Sequence, residues 1–204
     1  MLSKSLQLVR SEEDVIILRD IHLVTRDTEV KSAYERAFKE LHLELGFLSS
    51  WYEPLFFRIP PDKRKRIDEK TATDHYPPDF VTKFFIDGKQ VIIELHNGDS
   101  NYLERMGRFR KTFGSRFYYI LVRSPASGGK NEAYIKRAAK KHVDECWTMP
   151  RVYYGRGREN PRRYKEWKGQ MRTKLKELEA RSDKIRDMHD WEYAAGLINV
   201  KRAS

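Results

Sequence analysis

Two carboxylates and an imidazole fall within eighteen positions of one strongly patterned stretch. Asp79 follows Tyr76-Pro77-Pro78, and Glu94 and His96 end the run Val91-Ile-Ile-Glu-Leu-His96. Alternate side chains of a strand share a face, so Glu94 and His96 point the same way. Between residues 79–86 and 89–96 lies Asp87-Gly88, a strong signal for a two-residue hairpin turn. Folding there brings Asp79 roughly opposite Glu94 or His96. Carboxylates held together repel unless a proton or a cation resolves the conflict. Mg²⁺ prefers oxygen ligands and keeps several waters, so two carboxylates suffice to hold it. A metal so held activates water and neutralises charge on a phosphodiester.

Each residue also has a purely structural reading. Asp79 can cap a turn after the two prolines, and His96 can be a satisfied structural histidine. Glu94 can form a salt bridge with a lysine or arginine, although a charge inside Val-Ile-Ile-Glu-Leu is costly without a partner.

The elements that must position these groups follow from periodicity. From about Glu29 to Leu45, Val30, Ala33, Tyr34, Ala37, Phe38, Leu41 and Leu45 recur at helical spacing, and Gly46 supplies a stop. Residues 14–24 are β-rich, and one strand begins within 47–57. After the hairpin, Asp99 or Ser100 caps a helix to about Phe113, followed by a strand over 116–122, a helix over 131–143 and a short strand over 146–149. Tyr102 and Arg105 lie on the first of these helices, either toward the site or on its surface. Asn160-Pro161 is a good helix start, and the helix is predicted to run to about Asp190, with Gly169 a weak point. Tyr164, Met171, Leu178 and Ile185 recur every seven residues, which suits either a dimer seam or docking on the chain's own core. The order helix, strand, hairpin, helix, strand, helix, strand is an α/β arrangement with a mixed sheet.

Charge narrows the partners. The 204 residues carry a net charge of +11. Residues 151–204 hold 15 Lys+Arg against 8 Asp+Glu, so +7 sits in the last quarter and +4 in residues 1–150. A boundary therefore falls near Pro150, between a core of residues 1–150 and a basic helical extension of residues 151–204. Two basic clusters are candidate phosphate contacts: Lys63, Arg64, Lys65 and Arg66, and Arg151, Arg156, Arg158, Arg162 and Arg163. Tyr153, Tyr154, Tyr164 and Trp167 are interleaved with the second, which favours nucleic acid over a merely solvated surface. The longest apolar stretches, Val15–Leu18 and Val91–Ile93, are far too short to cross a bilayer, and no signal peptide fits the start. These features predict an intracellular, cytoplasmic protein without a membrane partner. Ser127-Gly-Gly-Lys130 lacks the spacing of a phosphate loop, so no nucleotide cofactor is expected. The lone Cys146 excludes a multi-cysteine zinc site and reads as a structural thiol.

Pro78-Asp79, a spacer of fourteen residues and Glu94-Leu95-His96 together resemble the motif of the PD-(D/E)XK nuclease superfamily. Ser32-Ala-Tyr-Glu35 through Leu41 to Gly46-Phe47 is similar to the first core helix of archaeal Holliday-junction resolvases, with Glu35 in the place of their helix glutamate. Glu35 can instead be an ordinary surface residue of an amphipathic helix, with Glu40 as the competing candidate. The resemblance covers roughly residues 30–123 and implies a restriction-endonuclease-like α-β-β-β-α-β core. It further implies a metal-dependent endonuclease acting on duplex or branched DNA as a homodimer. Asp79, Glu94 and the Leu95 carbonyl would hold Mg²⁺ or Mn²⁺, Glu35 would add a ligand directly or through water, and His96 would orient or deprotonate the attacking water. His96 departs from the family pattern, which has lysine there. The rival expectations are a catalytically inactive nuclease-fold DNA-binding protein and an assembly protein that uses the C-terminal helix.

Overall fold

The computed structural model describes residues 6–8, 15–19, 24–48, 50–53, 55–59, 74–76, 78–96, 107, 109–111, 117–125, 137, 139–153 and 158–183. Within these the chain is α/β. Strands β1 (Leu6–Leu8), β2 (Val15–Arg19), β4 (Leu55–Ile59) and β5 (Asp74–Tyr76) form an antiparallel sheet in the order β1-β2-β4-β5. A second, five-stranded sheet is built from β3 (Ser50–Tyr52), β6 (Phe80–Ile86), β7 (Lys89–His96), β8 (Phe117–Arg123) and β9 (Glu145–Thr148), in that order. It is mixed, as expected. The β3, β6 and β7 strands are antiparallel, whereas β7, β8 and β9 are parallel. Helical residues at 107, 109–111, 137 and 139 lie in the two connections between parallel strands, and residues 140–142, predicted as helix, form a turn; Tyr102 and Arg105 lie outside the described residues.

Helix α1 spans Ala33–Glu44, starting later than its periodicity suggests because Ser32 is an N-cap. The Ser32 side chain accepts from the Glu35 N–H, and Glu35 reaches back to the Ser32 N–H, a reciprocal capping box. The apolar run 47–57 does not form one strand. It divides at Glu53, whose φ of +41° turns the backbone left-handed, and β3 and β4 join different sheets. The Asp87-Gly88 turn forms where predicted, with φ of +52° and +70°. Positive φ at both positions matches the right-handed twist of the strands.

Alternation sends Phe80, Phe84, Val91, Ile93, Ile120 and Val122 to one face of the sheet, where they pack with Tyr34, Ala37, Phe38 and Leu41 of α1. Phe38 stacks on Phe80 with centroids 4.1 Å apart. On the opposite face Phe109 stacks on Tyr119 at 4.9 Å.

The second helix, α2 (Pro161–Arg181), is capped by Asn160 with proline in its first turn. Trp167, Met171, Leu175 and Leu178 are buried in the same core as α1. Lys168 bonds Glu40 at 2.7 Å and also pairs with Glu44, as does Arg172, and the Tyr164 hydroxyl donates to Glu40 at 2.9 Å. Over residues 164–178 the seven-residue apolar spacing is therefore filled from within the chain, and the route to a dimer that it offered is closed there. Ile185 lies outside the described residues. No helix among those described is long and apolar enough to cross a membrane.

Two substitutions test this packing. Leu175→Ala should cost about 2–5 kcal/mol, and the loss in urea unfolding should not depend on protein concentration, as it would for a dimer seam. Gly169 is exposed in mid-helix and a Cβ there meets nothing within 4 Å. Gly169→Ala should raise the urea midpoint by an equivalent of about 0.5–1 kcal/mol with an unchanged slope.

Candidate active site

The site depends on an irregularity in the hairpin. Next to the turn, Ile86 pairs with Lys89 and Phe85 with Gln90; beyond Val81 the partners are Val81–Ile92 and Phe80–Ile93. Three residues, 82–84, thus face the single Val91, a bulge of two extra positions. Counted in equal arms from the turn, Asp79 would meet His96. The bulge moves it opposite Glu94, and because the shift is even, every side chain keeps its face.

Buried polar side chains satisfy the backbone at the bulge. The Thr82 hydroxyl donates to the Val91 carbonyl at 3.1 Å and accepts from the Phe84 N–H at 3.2 Å. Gln90 Nε2 donates to the Thr82 carbonyl at 3.1 Å. Without them, several main-chain groups would be buried without partners, at about 1–3 kcal/mol each.

Asp79 and Glu94 are locked together across the strand ends. The Asp79 N–H donates to Glu94 Oε2 at 3.3 Å, and Asp79 Oδ2 accepts from the Leu95 N–H at 2.6 Å. Glu94 is only 6% exposed. Burial and the charge of Glu94 push the Asp79 carboxyl well above the usual carboxylate range; Glu35 and Glu53 add to this, while the Leu95 N–H opposes it. Like charges held side by side favour a proton on one carboxyl or a cation beside them.

His96 is half-buried at the end of β7, on the face of Glu94. Its register partner on β8 is Arg123, which is 2% exposed. Sequence reasoning missed Arg123, although a charge closing the apolar run 117–122 was the available signal.

Glu35 is 8% exposed. It lies on α1, against the sheet face opposite to that of Glu94 and His96. Its Oε2 accepts from the Lys31 N–H at 2.7 Å, the Ser32 N–H at 3.3 Å and the Tyr52 hydroxyl at 2.8 Å. Burial and this bond to Glu35 push the Tyr52 phenol far above its usual range. The helix glutamate thus has a capping role. Its charge reaches Asp79, but among the described residues no group of three or more His, Cys, Asp or Glu side chains is placed to hold a metal ion.

Glu53 was also missed, and no local pattern announces it. Its N–H donates to the Asp79 carbonyl at 2.9 Å, and its carboxylate holds Lys31.

Of the phosphate-contact candidates, Arg158, Arg162 and Arg163 are exposed at the start of α2, and Arg151 is half-exposed. Arg156 and the run Lys63, Arg64, Lys65 and Arg66 lie outside the described residues. Compared with known protein families, curated proteins and solved structures, the chain matches none.

Asp79→Asn tests the conflict of charges, since an amide oxygen can still accept from Leu95. A carboxyl with a raised folded pKa costs stability only where it is forced to ionise. The cost is absent below the ordinary aspartate value and grows as pH rises through the raised one. In chelator, Asp79→Asn should melt above wild type at pH 7–8, and the gap should close as pH falls toward the ordinary carboxylate range.

Proposed function

We propose that this chain is a metal-dependent DNA endonuclease with a restriction-endonuclease-like core, acting on duplex or branched DNA as a Holliday-junction resolvase does. The observation that carries the reading is the bulge-set juxtaposition of Asp79 and Glu94 at the end of a buried strand pair. The donor set suits a hard cation: two like-charged carboxylates, one of them buried in an apolar strand, are what Mg²⁺ or Mn²⁺ relieves. Asp79, Glu94 and the Leu95 carbonyl would hold the ion, which when bound supplies charge neutralisation at the phosphate and a more acidic water.

His96 shares the face of Glu94 and would orient the attacking water and take its proton as the water oxygen bonds to phosphorus, while the bond from phosphorus to one sugar oxygen breaks and that oxygen leaves, taking a proton from solvent. An imidazole titrates near neutrality, which suits a base better than a permanent cation. Arg151, Arg158, Arg162 and Arg163 bind backbone phosphates along the entry to α2, with Arg156 and Lys63–Arg66 as further contacts. The family likeness adds a homodimer, formed through a surface other than the buried face of α2. A second reading, an inactive nuclease-fold DNA-binding protein, is favoured by His96 in place of lysine and by the capping role of Glu35.

Supercoiled, linear and four-way-junction DNA should be incubated with the protein in Mg²⁺ or Mn²⁺. Wild type is expected to cut, and Glu94→Ala to lose roughly 100- to 1,000-fold or more in rate while keeping salt-sensitive binding. Cleavage that survives Glu94→Ala rules out this site. Salt-sensitive binding without cleavage by wild type moves the assignment to the second reading.

A further inference from the structure

The outer face of α2 carries charge that the fold does not use. Arg162, Lys165, Gly169, Thr173 and Lys176 are exposed at helical spacing, on the side turned away from Trp167, Met171, Leu175 and Leu178. Other cations of this helix are matched. Lys168 and Arg172 pair with Glu40 and Glu44, Lys174 with Glu177, and Arg181 with Glu145. Among the described residues no carboxylate pairs with Arg162, Lys165 or Lys176. Glu166 and Glu177 border the stripe, and Glu177 is already taken by Lys174.

The middle of this stripe is low. Gly169 sits in ordinary helix, and a Cβ there would meet nothing within 4 Å. The fold therefore has no need of a glycine that weakens the helix relative to alanine, whereas close approach of a ligand to the main chain does need one. The Thr173 hydroxyl bonds back to the Gly169 carbonyl at 3.3 Å, which keeps that side chain against the helix. Long cations thus flank a shallow saddle of bare backbone. A partner helix or protein needs apolar or aromatic anchors at the centre of its contact, and a membrane surface needs an apolar stripe. Among the described residues the exposed large hydrophobic side chain is Leu43, on α1, and the outer face of α2 presents none. A polyanion with a regular backbone fits instead. Arg162 and Lys176 span about 21 Å of helix axis, and each strand of a DNA duplex presents a phosphate about every 3.4 Å along its own.

We infer that the outer face of α2 is a second DNA-binding surface, on which Arg162, Lys165 and Lys176 hold the phosphates of a duplex whose backbone lies over Gly169. It rests on the DNA-binding part of the reading given above and not on the chemistry of Asp79 and Glu94. Since α1 and α2 cover the sheet face opposite to that of Glu94 and His96, the phosphates gripped along this helix are not those beside the carboxylates.

The test is binding of a labelled linear DNA duplex in chelator, followed by fluorescence anisotropy over a salt series. The proteins are wild type, Gly169→Ala, Gly169→Gln and the double variant Lys165→Gln/Lys176→Gln. Lys140→Gln/Lys141→Gln, exposed in the turn before β9, is the control for loss of two positive charges. Lys165→Gln/Lys176→Gln is expected to weaken binding roughly tenfold and to lower the salt slope by about 2, while the control stays within about twofold of wild type. Both Gly169 variants should melt above wild type yet bind more weakly, glutamine more so than alanine, a combination that loss of fold cannot produce. Binding by Lys165→Gln/Lys176→Gln equal to that of the control overturns the surface, and leaves the nuclease reading standing where wild type cuts and Glu94→Ala does not. A dimer that sediments as a monomer in the Gly169 variants, with the salt slope unchanged, puts a second copy on this face and overturns it. Tighter binding of duplex RNA, lost in the same double variant, overturns DNA as the occupant. A wild type that binds no duplex overturns both this surface and the reading on which it rests.

Discussion

Between Val81 and Phe85, β6 carries three residues where β7 carries one, and Thr82 and Gln90 supply the hydrogen bonds that a flush ladder would have made. That small buried network sets the partner of every residue beyond it. Val81 and Phe80 take Ile92 and Ile93, and Asp79 arrives beside Glu94 rather than His96. The site is therefore a product of hairpin register. Its two carboxylates converge because two amide and hydroxyl side chains stabilise a ladder that would otherwise leave polar groups buried and unmatched.

A fold that forces two carboxylates together must draw its stability from elsewhere. Here it comes from the apolar layer between α1, α2 and the five-stranded sheet, where Phe38, Leu41, Phe80, Ile93, Trp167, Met171, Leu175 and Leu178 are buried. Polar tethers refine that layer. Glu145 on β9 accepts from the Tyr118 hydroxyl at 2.6 Å and Trp147 Nε1 at 2.7 Å and also pairs with Arg181. Burial pushes its carboxyl up, but these bonds outweigh burial and hold it below the usual range. Glu145 and Asp79 are thus opposite cases: one carboxylate surrounded by donors and content to be ionised, the other facing its own kind.

What was legible in the sequence was local. Asp87-Gly88 announced the hairpin because the turn needs two positive φ values that few residue pairs accept. Asn160-Pro161 announced α2 in the same way. The bulge was not legible, since it depends on a Gln90 amide reaching Thr82 across the strand, and alternation reads the same with or without an even shift. Glu53 was hidden for a similar reason, as its turn is held by Asp79 and Lys31, both more than twenty positions away in sequence. An apolar stripe on a helix says that something covers it, not what, so the spacing of α2 fits a dimer seam as well as the core in which Trp167 and Leu175 lie with α1. Glu35 is the capping partner of Ser32, a role its spacing of three from a serine at a helix start also signals.

The two ends of α2 are attached to the two ends of one strand pair. At its start, the Asn160 N–H bonds the Val152 carbonyl, the Val152 N–H bonds the Tyr34 hydroxyl, Tyr34 meets Ser124, and the Ser124 N–H reaches the His96 carbonyl. Just past its end, Asp183 accepts from the Gly88 N–H and donates to the Phe85 carbonyl. A helix of 21 residues is about 31 Å long, and a strand of eight is about 27 Å. The helix acts as a ruler laid along the hairpin. A turn added to or removed from α2, about 5.4 Å, would leave one anchorage out of reach, so the lengths of these two elements are bound to vary together.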